Sequence, residues 1–154
     1  MMFRNLLSRL FNDDPLPQPL ASPDAEVAIA ALLVRVARSD DHYRQVEQQR
    51  IDQILAHRRG LSLEEAAERR VAAEMIEAEA PDTVRFTRQV KDRIALEDRT
   101  GVIGAMWETA YADDGRAADE ETLIRLVAGL LGVPDKDSAT IRQRVLRDLG
   151  IDQG

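Results

Sequence analysis

Residues 27–37 read VAIAALLVRVA, eleven positions with a single charged side chain, Arg35. A surface helix needs a polar face and a half-buried strand needs alternation, so a run this apolar on every side predicts a helix surrounded by other helices. A second stretch, residues 98–112 (DRTGVIGAMWETAYA), repeats the property through Val102, Ile103, Ala105, Met106 and Trp107. Two central helices require amphipathic ones to cover them, and the rest of the chain offers them.

Ser22-Pro23-Asp24 is a helix start, with Ser as N-cap, Pro at the first helical position and an acid in the first turn. Val46, Ile51, Ile54 and Leu55 mark a second helix; Arg58 and Arg59 suit its C-terminal end and Gly60 stops it. Ser62 and Glu65 form a capping box that opens a third helix, expected to turn Leu63, Ala67, Met75 and Ala78 toward the core and to end before Pro81. Asp82 is placed to cap a fourth, with Phe86, Val90 and Ile94 as a narrow apolar stripe. Beyond the polar loop at 113–115, Leu123, Ile124, Val127, Leu130 and Leu131 predict a helix closed by Gly132 and Pro134. Ile141, Val145 and Leu149 mark a last one. No sustained period-two alternation occurs, so the expected class is all-α, a single-domain bundle of about seven helices over residues 22–150.

Residues 1–21 read differently. Phe3, Leu6, Leu7, Leu10 and Phe11 fall on one face of a short amphipathic helix, with Arg4 and Arg9 off it. Pro15, Pro17 and Pro19 then predict an extended linker. The stripe suits docking on a protein partner or back on its own domain; two arginines and one short apolar face give only weak, reversible membrane contact.

Composition narrows the function. The 154 residues contain no cysteine, which removes disulfides, thiolate metal sites and cysteine nucleophiles. A formal charge of -7, with 21 Lys+Arg scattered among 28 Asp+Glu, opposes nucleic-acid binding. No apolar run is long enough to span a bilayer and no secretory signal is recognisable, so the expected location is the cytoplasm, peripheral to the inner membrane if the first helix docks there. No G-x-S-x-G or phosphate-loop context appears, and two histidines, His42 and His57, make neither a triad nor a histidine zinc site. The expectation is a non-enzymatic protein.

Laid on itself with a shift of 73, the chain superposes Ala37 on Ala110, Asp40 on Asp113, Asp41 on Asp114, Glu47 on Glu120 and Ile51 on Ile124. This predicts two pseudo-symmetric helix-loop-helix repeats. The second copy, Ala110-Tyr111-Ala112-Asp113-Asp114-Gly115 through Glu120-Glu121, resembles the A-Y-A-D-G-x-x-x-x-x-E signature of the TerB-like tellurite-resistance family, with Asp114 in place of the usual glycine. Residues 123–146 continue the resemblance, and a fainter copy lies at residues 36–51. The resemblance implies a bacterial helical-bundle protein associated with tellurite or general stress response, with a metal-linked role and no agreed enzymatic activity.

The residues that carry candidate chemistry are Asp40, Glu47, Asp113 and Glu120, two equally spaced acid pairs in equivalent loops. Along an unbroken helix each pair would lie about 10 Å apart, too far for one ion, but a turn after each Asp lets it meet the Glu that opens the next helix. Asp40, Asp41, Asp113 and Asp114 also follow helix C-termini, where cations are preferred. Together these predict a site for a hard divalent cation, Ca²⁺ or Mg²⁺, with Asp41, Asp114 and Glu121 as auxiliaries. The alternative is that the aspartates cap the loops while Glu47, Glu120 and Glu121 complement helix N-termini, leaving a metal-free interaction domain recruited through Phe3, Leu6, Leu7, Leu10 and Phe11. Trp107, Tyr111 and Phe86 read as core aromatics, with the Tyr111 hydroxyl near the second acidic loop.

Overall fold

The computed structural model describes residues 22–39, 42–80, 82–112 and 118–151. Seven α-helices follow one another among them: α1 (Ser22–Arg38), α2 (Gln45–Arg59), α3 (Leu63–Glu79), α4 (Thr83–Lys91), α5 (Leu96–Ala110), α6 (Ala118–Leu130) and α7 (Asp135–Asp148). No strand occurs among the described residues. The segment 1–21, with Phe3, Leu6, Leu7, Leu10 and Phe11, lies outside them.

α1 is the axis of the molecule. Val27, Ala28, Ile29, Ala30, Ala31, Leu32, Leu33, Val34, Val36 and Ala37 are all buried, because α2, α3, α5 and α6 pack around the helix. Removing a side chain such as Leu32 or Ile29 from water contributes about 1.5–3 kcal/mol. α5 is the second central helix, burying Val102, Ile103, Ala105, Met106 and Trp107 against α1, α2, α6 and α7.

The punctuation works as its chemistry requires. Gly60 takes φ 64° at the end of α2 and donates its N–H to the Ala56 carbonyl. The Ser62 hydroxyl accepts the Glu65 N–H at 3.1 Å while the Glu65 carboxylate accepts the Ser62 N–H at 3.2 Å, closing the capping box of α3. Asp82 caps α4 by accepting the Arg85 N–H at 3.0 Å. Gly132, at φ 81°, lets the chain leave α6 with the Val133 N–H on the Ala128 carbonyl at 2.8 Å.

The repeat extends over three helices rather than two. α2 begins at Gln45 and α6 at Ala118, 73 residues apart, and α3 and α7 begin within one residue of the same offset. Within each half the first helix packs on the second and third, and across the halves α1 meets α5, α1 meets α6 and α2 meets α5. α4 has no counterpart; it joins the halves and packs on α6.

One expectation is overturned. Leu63, Met75 and Ala78 of α3 face solvent and Ala67 is only half-buried, while the core face consists of Ala66, Ala73 and Ile76 with the polar Glu77. Small residues win that face because α1 approaches closely, and the larger side chains are left outside. Val46 of α2 is likewise exposed.

Candidate functional site: the acidic end of the bundle

α2 and α5 run antiparallel. The Arg58 guanidinium lies against Gly101 near the start of α5, where a Cβ would come within 3.3 Å of it, and the Arg50 charge acts on Glu108 near the end of α5. The first turn of α2, with Glu47, is therefore directed toward the end of α5, from which the chain enters the second acidic loop. The repeat gives α6 and α1 the matching relation, with Glu120 in the first turn of α6.

Glu47 and Glu120 are 2% and 3% exposed, unusual for carboxylates in the opening turn of a helix. Glu47 accepts the Arg44 backbone N–H at 3.0 Å, the N-terminal capping that its position predicts. Asp40, Asp41, Asp113 and Asp114 lie outside the described residues, so the structure defines the acidic constellation at Glu47 and Glu120 alone. Among the described residues no three His, Asp or Glu side chains gather as a metal-binding group. Glu121 is engaged differently: its carboxylate accepts the Tyr111 hydroxyl at 2.9 Å and an Arg142 N–H at 2.7 Å.

That contact belongs to a cluster on the outer side of α5. Arg142 of α7 also donates to the Tyr111 hydroxyl at 2.6 Å and lies over the Trp107 and Tyr111 rings, 5.4 and 5.8 Å from their centroids. Trp107 donates its indole N–H to Ser138 at 3.2 Å. Burial raises the Tyr111 hydroxyl above its ordinary pKa; the Glu121 contact adds to the rise and Arg142 opposes it. A cavity of about 290 Å³ beside Trp107 is lined by Arg125, Asp135, Ser138, Ala139 and Arg142. Its serine holds the Trp107 N–H, and neither histidine lines it.

A matching polar layer lies near the start of α2. Glu77 of α3 accepts from Arg35 at 3.2 Å and from Arg38 at 2.7 Å, and the two guanidinium groups stack over Phe86 and Tyr43. Tyr43 donates to Glu74 at 2.5 Å, Arg70 bridges Glu74 and Asp52, and Tyr43 is pushed well above the ordinary phenol range by burial and by the Glu74 carboxylate. No local sequence pattern announces this layer. Its one legible sign was Arg35 inside an otherwise apolar run.

A family model described as Tellurite resistance protein TerB matches residues 26–143. The chain belongs to the TerB family. The match begins at Glu26 in α1 and ends inside α7, so it spans both halves and both acidic loops. No curated protein and no solved structure matches the chain. Among the described residues no helix is long and apolar enough to cross a membrane.

Proposed function

We propose that this TerB-family chain is a non-enzymatic module that holds a divalent cation of the Ca²⁺ or Mg²⁺ class at the acidic end of its bundle and presents its helical surface to protein partners. The observation that carries this reading is the burial of Glu47 and Glu120 at equivalent places in the two halves, each in the opening turn of the helix after an acidic loop. Burying a carboxylate is costly unless charge or hydrogen bonds compensate it, and the fold does so at the same place in each half.

The donor set fits such an ion chemically. Carboxylate oxygens are hard ligands, and with no cysteine in the chain thiolate coordination is absent. Capping through one oxygen is compatible with coordination, since an ionised carboxylate has about four lone-pair sites. Glu47 and Glu120, with Asp40 and Asp113, would hold the cation; Asp41, Asp114 and Glu121 would support it. A tellurium oxyanion is repelled by the same groups, which makes any part in tellurite resistance indirect.

A second reading, a metal-free interaction domain recruited through its N-terminal amphipathic segment, is favoured by the capping bond of Glu47, which needs no ion. Thermal unfolding across Ca²⁺, Mg²⁺, Mn²⁺ and Zn²⁺ separates the two. At 100 times its dissociation constant a bound ion stabilises by about 2.7 kcal/mol. The expected result is a raised midpoint in the native chain that disappears in the Asp40→Asn, Glu47→Gln, Asp113→Asn, Glu120→Gln variant. No shift with any cation would leave the metal-free domain as the correct reading.

A further inference from the structure

Leu63, Ala67, Val71 and Met75 of α3 follow one another at four-residue steps, and Leu63, Val71 and Met75 are 60%, 48% and 57% exposed. Each step of four residues turns the helix by about 40°, so the four side chains occupy a sector of about 120° over roughly 18 Å, opposite the face carrying Ala66, Ala73 and Ile76. Ala78 is exposed in the same sector. Aligned along one ridge, these side chains form a contiguous apolar surface of the kind that an amphipathic helix can cover. None of α1, α2, α4, α5, α6 or α7 does so here.

We propose that the amphipathic segment of residues 3–11 of the same chain docks on this stripe, laying Phe3, Leu6, Leu7, Leu10 and Phe11 against Leu63, Val71 and Met75. Three features select this occupant. As a helix, residues 1–11 measure about 16 Å, close to the length of the stripe. The linker, residues 12–21, spans up to about 33 Å when extended. It enters α1 at Ser22, at the end of the bundle where α3 begins: Glu26 of α1 is bound at 3.0 Å to Arg58, in the last turn of α2, and residues 60–62 alone separate α2 from α3. Charge completes the match. Exposed Glu64 and Glu68 flank the stripe, and the segment carries Arg4 and Arg9 beside its apolar face. The inference is independent of cation binding, since it uses none of the acidic-loop residues.

The test uses the full chain. Of its four methionines, Met75 reports on the stripe and the buried Met106 on the core, so methyl-¹³C-methionine gives a sparse spectrum. The absence of native cysteine allows a single spin label through Ser8→Cys, on the polar side of the segment. Docking predicts loss of the Met75 signal, its recovery in Val71→Glu and in Leu6→Glu/Leu10→Glu, and an unmoved Met106 resonance showing that the fold is intact. A Met75 signal that survives the label overturns the proposal. So does a signal lost only when spin-labelled chains are mixed with separate ¹³C-labelled ones, which would assign the stripe to a second copy. Sedimentation of the chain with anionic phospholipid vesicles while Met75 remains unbroadened would also overturn it, assigning the segment to a lipid surface.

Discussion

Glu26 and Arg99 stand 73 residues apart, at matching positions of the two halves, and each ties its central helix to the end of the helix that follows. The Glu26 carboxylate receives Arg58 Nε at 3.0 Å and Nη2 at 3.2 Å from the last turn of α2. Arg99 donates from α5 to the Leu131 carbonyl at 3.3 Å, just beyond α6, and also to the Lys91 and Ile94 carbonyls. Arg58 and Leu131 are themselves 73 residues apart. The two halves thus keep one tie between the same places while reversing the sign of the group on the central helix.

Glu26 is 1% exposed, and removing it strands a guanidinium that is mostly covered. Breaking a buried pair from one side costs about 3–5 kcal/mol; because Arg58 and Arg59 keep some access to water, we expect Glu26→Ala to cost about 3 kcal/mol. Urea unfolding measures it directly. A cost under about 1 kcal/mol would mean that the pair behaves as a surface contact.

Glu108 gives a pH dependence of definite sign. Its carboxyl is raised above the ordinary value by burial, with Asp148 adding to the rise and the Arg50 and His57 charges opposing it. A carboxyl with a raised folded pKa binds its proton more tightly in the native state, so its favourable contribution is complete below the unfolded value of about 4.3 and is lost as pH rises through the folded value. Glu108→Gln should accordingly be more stable than the native chain at pH 7 and match it near pH 3.5. Unfolding free energies of both proteins at the two pH values check the sign.

Arg142 covers the indole of Trp107, the only tryptophan, while bonding Tyr111 and Glu121. Arg142→Ala removes a partly exposed cation-π contact and two charge-assisted hydrogen bonds, for an expected loss of about 1–2 kcal/mol. Because the side chain also borders the adjoining cavity, water gains access to the ring. Trp107 emission in the folded protein should move to longer wavelength, and unchanged emission would show that other residues shield the indole.

Much of this architecture was legible because local and tertiary signals agreed. The run at residues 27–37 fits only a central helix, and Gly60, the Ser62–Glu65 box and Asp82 punctuate the chain by rules that act within a few residues. α3 misled because its sequence offers two apolar faces. Leu63, Ala67 and Met75 are periodic, yet close approach to α1 selects the smaller Ala66 and Ala73, a steric choice made by the partner helix. The polar layers were hidden for a related reason. Arg35 and Glu77 lie 42 residues apart, and nothing local to either announces the other. At the acidic end, the equal Asp–Glu spacing was visible, whereas the burial of Glu47 and Glu120 depends on how the halves pack.

Glu47 allows its capping and cation-holding roles to be separated. Its bond to the Arg44 N–H needs only an acceptor at the third helical position, which glutamine supplies as well as glutamate. Without divalent cations, Glu47→Gln keeps the cap and should therefore cost less than Glu47→Ala, which loses the cap and buried packing and should cost about 1–2 kcal/mol. With saturating Ca²⁺ or Mg²⁺ the order of native chain and Gln variant should diverge, because the amide keeps the cap but surrenders the charge. Chemical unfolding of the three proteins with chelator and with each cation reads both roles. A Gln variant that gains the native increment with metal would confine Glu47 to capping and remove it from the cation site.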